Sequence, residues 1–117
     1  MKKLILLFVM VIHLVLYVNS NAQVVWNPRQ SGTSETITAF SFYGSDYGFY
    51  CGKNGVIAKT TNYGINWVLQ QSQTTIDLHA IYFLNWNTGW AAGGYIENNL
   101  WGHIIILKTT NGGTNWV

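Results

Sequence analysis

A twelve-residue segment occurs twice in this chain, and this repetition constrains the fold more than any other feature of the sequence. The copies run from Ile57 to Val68 and from Ile106 to Val117, and nine of the twelve aligned residues are identical. Most of the shared residues are Thr, Asn, Gly and Trp, which build and anchor turns. The segment therefore predicts a repeat architecture rather than a particular reaction.

The doubled segment belongs to a longer repeat. Phe83 repeats Phe42, and Lys108 repeats Lys59 at an offset that is longer by eight positions. The second copy thus carries an eight-residue insertion between residues 94 and 103. A period of about 40 residues in a strand-rich sequence is the size of one β-propeller blade, which has four short antiparallel strands.

Runs of β-branched and aromatic residues, separated by polar turns, predict the strands of each blade, which we label A to D from the inside outward. The predicted ranges are 37–42 and 78–83 for strand A, 48–52 and 89–93 for strand B, 56–60 and 104–109 for strand C, and 67–71 for strand D. The predicted fold class is all-β, with about two β-propeller blades built from four-stranded antiparallel sheets.

The phase of the repeats predicts that more protein is needed to close a ring. Residues 26–30 align with strand D, so the expected repeats are 26–66 and 67–115, with a truncated third beginning at residue 116. Closed propellers contain about four to eight blades. We therefore expect a fragment of a larger propeller or, less favoured, a chain that associates with other copies, because isolated blades expose apolar faces and unpaired edges.

Residues 1–22 have the pattern of a signal peptide. Two lysines precede an apolar run from residue 4 to 18, and small residues at 20 and 22 predict cleavage before Gln23. The domain of residues 23–117 is thus expected to be secreted, periplasmic or located at the cell surface. The apolar run is shorter than the roughly 20 residues of a membrane-spanning helix, so no stable membrane insertion is expected after cleavage.

Charge and cysteine content exclude two further classes. Residues 23–117 contain four Lys or Arg and four Asp or Glu, so their net charge is zero and they offer no basic face for nucleic acid. Cys51 is the only cysteine, which excludes an intramolecular disulfide. It aligns with Ala92, so we expect a packed, unreactive thiol.

The doubled segment resembles the Asp-box, or BNR, repeat, whose pattern is Ser/Thr-x-Asp-x-Gly-x-Thr-Trp. The matching residues are Thr60, Asn62, Gly64 and Trp67 in the first copy, and Thr109, Asn111, Gly113 and Trp116 in the second. Asn replaces the usual Asp, and Asn66 and Asn115 replace the usual Thr. Over residues 24–117 the chain is similar to the photosystem II stability and assembly factor family. The resemblance implies a propeller in which these boxes are structural elements away from the active face.

Relatives of this repeat also include sialidases and xyloglucan-cleaving glycosidases, so catalytic residues need consideration. A sialidase needs an arginine cluster, and Arg29 is the only arginine. A glycosidase needs two carboxyl groups about 5 to 9.5 Å apart. In a propeller Glu35, Asp77 and Glu97 would share one face and Asp46 the other. A catalytic pair among the first three stays an alternative to ordinary solvated acids.

The insertion, residues 95–103, is the stronger candidate for ligand binding. It offers an aromatic ring, an acid and two amides, and Trp101 is suited to stack on a sugar or anchor a partner. The candidate ligand-binding residues are Trp101, Glu97, Asn98 and Asn99, together with Glu35 and Asp77. The alternative is that Leu100 and Trp101 pack locally over the blade edge. His79 and His103 lack neighbours at metal-ligand spacing, so neither a metal nor a cofactor is predicted.

The sequence thus predicts an exported, non-enzymatic propeller segment that acts as a binding or assembly scaffold for a protein or carbohydrate ligand. The alternative is a fragment of an Asp-box glycoside hydrolase, sialidase-like or xyloglucanase-like, whose catalytic residues lie in missing blades.

Overall fold

The computed structural model describes residues 27–98 and 100–117, apart from the side chain of Trp101. The predicted signal peptide, residues 1–22, and the first residues of the predicted domain lie outside this part. Within the described residues, no helix has the length and apolar character needed to cross a membrane.

Two antiparallel sheets make up the fold. The first contains β1 (Ile37–Tyr43), β2 (Tyr47–Gly52), β3 (Ile57–Thr60) and β4 (Val68–Gln70), and the second contains β5 (Leu78–Phe83), β6 (Gly89–Glu97) and β7 (Leu100–Thr109). Each strand pairs with the next along the chain, as in a propeller blade. The predicted all-β class and the predicted strand order are therefore confirmed.

The two sheets repeat each other in detail. The β1–β2 ladder shifts register between Ile37 and Ala39, and the β5–β6 ladder shifts at the equivalent place in the repeat, between Leu78 and Ala80. A fourth strand begins beside β7 as well, because Val117 exchanges two backbone hydrogen bonds with Lys108, at 2.7 and 3.0 Å. The sequence repeat is thus a structural repeat of two blades.

The eight-residue insertion differs from the expected ligand loop. It extends strands β6 and β7 into a hairpin, in which Tyr95 pairs with His103 and Glu97 pairs with Leu100, with a register shift between Tyr95 and Ile96. The connection is two residues long, and Asn98 has a φ of 52°, a value that suits a type I′ turn. Because the insertion lengthens both strands almost equally, the backbone pairing continues instead of ending at residues 93 and 104. Leu100 is exposed, so it does not pack back over the blade.

The hydrophobic core lies between the two sheets. Phe49 of β2 and Phe83 of β5 stack with their ring centroids 3.6 Å apart and their planes 7° apart. Cys51, Ile57 and Leu78 lie beside this pair and are fully shielded from solvent. Burying a large apolar side chain contributes roughly 1.5 to 3 kcal/mol, so the contact between the blades is a main source of stability.

Candidate functional site

The antiparallel topology gathers three connections at one end of the sheets. These are the β2–β3 turn, the β4–β5 connection and the tip of the β6–β7 hairpin, and the segment that leads into β1 joins them. We call this end the hairpin end. It carries Glu35, Asp77, Glu97 and Asn98, four of the six predicted ligand-binding residues. The other two predictions rest on Asn99 and on the Trp101 side chain, which lie outside the described residues.

Asn54 brings Glu35 and Asp77 together. Its side-chain amide donates a hydrogen bond of 2.9 Å to Glu35 Oε2, and its backbone N–H donates one of 2.9 Å to Asp77 Oδ1. The two acids lie in equivalent connections of neighbouring blades. They approach each other because the turn Lys53–Gly55 reaches from the first blade to the start of β5, which it contacts.

Sequence reasoning did not identify Asn54 as part of the site. The available signal was its place before Gly55 in a short turn, since Asn tolerates the left-handed conformation that such turns need. Asn54 has a φ of 55°, and Gly55 has a φ of 70°. Asn54 belongs to the site because of its backbone conformation, which an alignment of residue types does not show.

The two carboxylates serve as structural hydrogen-bond acceptors: the bond to Asp77 links the two blades, and the bond to Glu35 lies within the first blade. Glu35 and Asp77 receive different N–H groups of one residue, so each carboxylate has an oxygen committed to structure. Glu97 lies three residues beyond Gly94, whose backbone N–H binds the Asp77 carbonyl oxygen at 2.9 Å. At a strand rise of about 3.3 Å per residue, this places the Glu97 backbone about 10 Å farther along the hairpin. The three acids therefore do not form one compact cluster.

A groove of about 770 Å³ opens at the hairpin end of the first blade. Its walls combine amide and hydroxyl side chains with the apolar Val56, Leu69 and Ile76, and the polar residues that line it are Thr33, Glu35, Asn54, Gln70, Gln71, Ser72, Gln73, Thr74 and Thr75. Glu35 is the only titratable side chain among them. Such a lining can donate and accept hydrogen bonds along an extended ligand.

The walls of the groove are held by two equivalent turns. Ser31 Oγ donates to the Thr33 carbonyl at 2.9 Å, and Ser72 Oγ donates to the Thr74 carbonyl at 3.2 Å. The Ser-x-Thr pattern, which recurs at the period of the blade, was the signal that could have identified these walls. The local bonds satisfy the hydroxyls of the serines and leave the glutamine side chains of residues 71 and 73 exposed at the surface.

The opposite end of the sheets carries the doubled Thr-Asn turns. Thr60 Oγ1 donates to Asn62 Oδ1 at 3.0 Å and accepts the Gly64 N–H at 3.0 Å, while Asn62 Oδ1 also accepts the Asn66 N–H at 3.0 Å. The second turn repeats this network, with corresponding distances of 3.0, 3.0 and 2.9 Å for residues 109 to 115. In each turn the polar groups form hydrogen bonds within that turn. Both turns therefore stabilise the connection between two strands.

Cys51 and His79 are also engaged in structure. Cys51 is buried, and burial raises the pKa of its thiol, while a contact of 3.8 Å with the Thr38 hydroxyl acts in the opposite direction. His79 Nε2 lies 2.8 Å from the Gly94 carbonyl oxygen. Within the described residues, no three His, Cys, Asp or Glu side chains lie close enough together to hold a metal ion.

Comparison with known proteins identifies the fold. No family model and no curated protein matches the sequence. A solved structure described as YCF48 bound to D1 peptide matches with a TM-score of 0.60 and 24% sequence identity, over 80% of this chain and 30% of that chain. The similarity shows that the two sheets are blades of the β-propeller fold, and the chain spans less than a third of the length of the chain it matches.

Proposed function

We propose that this chain is an exported β-propeller segment that acts as a non-catalytic scaffold and binds an extended peptide of a protein partner at the hairpin end. The observation that carries this proposal is the open groove beside Asn54, which is lined by amides and hydroxyls. An extended peptide presents a regular series of backbone donors and acceptors, and these groups match such a lining.

The geometry of the acids supports binding rather than hydrolysis. Glu35 and Asp77 each accept a hydrogen bond from Asn54, whereas a glycosidase needs two carboxyl groups that face one glycosidic bond. The hairpin end also carries the exposed apolar side chains of Ile96 and Leu100. A surface that combines polar groups with apolar side chains is the composition expected of a protein-binding surface.

Two likenesses also support an assembly-factor role. The YCF48 chain that matches this fold is described as bound to a peptide. The Thr-Asn turns have the residue pattern of Asp-boxes, with the Asn side-chain oxygen in the accepting position of the Asp. We therefore infer an Asp-box propeller related to photosystem II assembly factors, which operates outside the cytoplasm after removal of residues 1–22.

The second candidate is part of an Asp-box glycoside hydrolase. The observation in its favour is that Glu35 and Asp77 both contact Asn54, since a glycosidase uses two carboxyl groups that flank one glycosidic bond. In that case a carbohydrate would occupy the groove, and the full catalytic set would require further blades.

Binding arrays that present peptides and glycans in parallel would test the two candidates. We expect saturable binding of extended peptides by the purified chain. Gln71→Ala and Gln73→Ala should weaken it, and Asp46→Asn, at the opposite end of the sheets, should leave it unchanged. Saturable glycan binding, with hydrolysis abolished by Glu35→Gln, Asp77→Asn or Glu97→Gln, would refute the scaffold proposal and establish the enzyme.

A further inference from the structure

The contact between the two blades provides a template for a second contact. Across this internal interface, the first blade contributes one side of its sheet, on which Phe49 and Ile57 are buried. The second blade contributes the opposite side of its own sheet, on which Ile81 and Phe83 are buried. We call the side of a blade that corresponds to Phe49 and Ile57 its knob side, and the side that corresponds to Ile81 and Phe83 its receiving side. The internal interface joins the knob side of the first blade to the receiving side of the second.

The receiving side of the first blade is open at Phe40 and Phe42, whereas Tyr50, whose hydroxyl donates to the Ser31 carbonyl oxygen, is fully buried. We call this side the Trp67 face, and it consists of Phe40, Phe42, Tyr50 and Trp67, the counterparts of Ile81, Phe83, Ala91 and Trp116. Phe40 and Phe42 are 56% and 54% exposed, whereas Ile81 and Phe83 are 8% and 4% exposed. Their rings already form a continuous aromatic surface, with the Trp67 ring 6.2 Å from Phe40 and 6.3 Å from Phe42.

The knob side of the second blade is open as well. We call it the Trp90 face, and it consists of Tyr82, Trp90, Ala92, Ile106 and Lys108. Trp90 and Ile106 hold the positions of Phe49 and Ile57 in the first blade. Ile106 is 68% exposed, whereas Ile57 is fully buried. This face therefore presents the apolar surface that the internal interface buries.

The lysine at the internal interface, Lys59, has an equivalent on the Trp90 face, Lys108. Lys59 Nζ lies 5.6 Å from the centre of the Phe49 ring and donates a hydrogen bond of 3.1 Å to the Gly112 carbonyl oxygen of the second blade. Lys108 Nζ lies 5.7 Å from the centre of the Trp90 ring, in the equivalent position. On the Trp67 face, the counterpart of Gly112 is Tyr63.

The backbone conformation of Tyr63 matches that of Gly112. Tyr63 has a φ of 61° and Gly112 a φ of 63°, so the two turns have matching backbone at this point. Positive φ is uncommon for a residue other than glycine. Tyr63 thus offers the same backbone carbonyl, but a Cβ atom at Gly112 would lie 3.2 Å from Lys59 Nζ, so the Tyr63 side chain narrows the space for the incoming lysine.

We propose that the Trp90 face of one copy of this chain docks on the Trp67 face of a second copy. Trp90 would stack on Phe42 as Phe49 stacks on Phe83, and Lys108 would donate to the Tyr63 carbonyl oxygen of the other copy. The two faces lie on opposite sides of the two-sheet stack, so the contact is head-to-tail and repeats from copy to copy. Since closed propellers have about four to eight blades, a closed ring would contain two to four copies.

The new contact lacks two hydrogen bonds of its template. Thr38, whose hydroxyl donates to the Leu78 carbonyl oxygen across the internal interface, has His79 as its counterpart. Tyr82 stands where the first blade has Ser41, whose hydroxyl accepts the Phe83 N–H at 3.0 Å across the internal interface. The larger side chain removes this hydrogen bond between blades. The association should therefore depend on protein concentration.

Analytical ultracentrifugation of the full chain, recovered from the export compartment of its expression host, provides the test. We expect species of two to four copies at high concentration. Phe42→Glu and Ile106→Glu each place a charge in one face and should each give a monomer, because burying an unpaired charge is costly. Mixing these two variants should give a one-to-one dimer, since each keeps the face that the other has lost. Monomeric wild-type protein, or a mixture that stays monomeric, would overturn the proposal.

Ile65→Glu is the matched control. Ile65 is exposed, and its counterpart Thr114 is exposed although the second blade is docked, so residue 65 should lie outside the new contact. This variant should associate like the wild type. If all three variants lost association equally, the association would not depend on the two proposed faces. Hydrogen exchange of the wild type requires no variant, and backbone amides of β1 and β7 should gain protection as the protein concentration rises. Constant exchange in both strands would count against docking even if a variant failed to fold.

Discussion

At the scale of single residues, the doubled turn shows why Thr and Asn recur at fixed spacing. The Thr hydroxyl faces inward and both donates and accepts, so it fills two roles within one closed turn. Asn62 and Asn111 act only through the side-chain oxygen in these bonds, which explains why an Asp can hold the same place in the Asp-box pattern. The recurring residue types therefore reflect a local hydrogen-bonding requirement.

Removing the inward hydroxyl should be costly, whereas changing the Asn should not. Thr60→Val keeps the shape but leaves the buried Gly64 N–H without its acceptor, so we expect a loss of about 1 to 3 kcal/mol in the free energy of unfolding. Asn62→Asp preserves both accepting contacts and should change stability by less than about 0.5 kcal/mol. Urea denaturation of the two variants checks this. Equal losses in both would mean that the Asn62 amide nitrogen is also needed.

The residues that the sequence identified make contacts within one blade, whereas the residue that it missed makes a contact between blades. Thr60, Asn62, Gly64 and Trp67 were identified because their side-chain types recur with the repeat. Asn54 has no such counterpart, since the second blade has the hairpin in its place, and its role depends on a turn that reaches across to β5. Such an interaction between blades depends on how the two blades pack against each other. The residue pattern of a single blade does not specify this packing.

At the scale of elements, the hairpin is a modification of an otherwise constant blade. In the first blade, β2 and β3 are joined by the turn Lys53–Gly55, and the Lys53 N–H binds the Thr36 carbonyl at 2.9 Å. In the second blade, the Gly94 N–H binds the Asp77 carbonyl at the same distance. The blade is thus preserved up to residue 94. The sequence located the insertion, but residues 95–103 lack the strict apolar–polar alternation of a half-buried strand, so the hairpin became visible only in the strand pairing.

Replacing residues 94–104 by the Lys-Asn-Gly turn of residues 53–55 should leave the blade intact. The hairpin tip is exposed and makes its backbone pairs within itself, so we expect a change of less than about 1 kcal/mol in the free energy of unfolding. Peptide binding should fall, because the exposed Ile96 and Leu100 are lost. Circular dichroism with denaturation, followed by the peptide array, measures both effects.

Asn98→Gly is the control for this graft. It keeps the hairpin and suits the positive φ of the turn, so both stability and binding should resemble the wild type. A graft that unfolded the protein would show that the hairpin supports the second blade. A graft that bound peptide with unchanged affinity would restrict the binding surface to the groove.

At the scale of the whole molecule, stability depends on the contact between blades. Nearly all of the core residues face the boundary between the two sheets, so each sheet has little core of its own. Hydrogen bonds also cross this boundary, from Lys59 to Gly112 and from the Phe83 N–H to Ser41. In repeat proteins the interface with the neighbouring unit is part of the stability of each unit. The repeat pattern predicted two blades. That the two blades share a single core is shown only by the packing of the sheets in the structure.

The two blades should therefore unfold as one cooperative unit. Leu78→Ala removes a fully buried side chain of β5 and should lower the free energy of unfolding by about 2 to 5 kcal/mol. The same loss should appear in both blades, although the substitution lies in the second, because unfolding either blade exposes the shared core. Leu84→Ala, at an exposed leucine one residue after β5, should change stability by less than about 0.5 kcal/mol. Hydrogen exchange in increasing urea, at a protein concentration low enough to exclude association, follows β2 and β6 separately. If β2 kept its protection in the Leu78→Ala protein while β6 lost it, the first blade would have to be stable on its own and the shared core could not be the source of its stability.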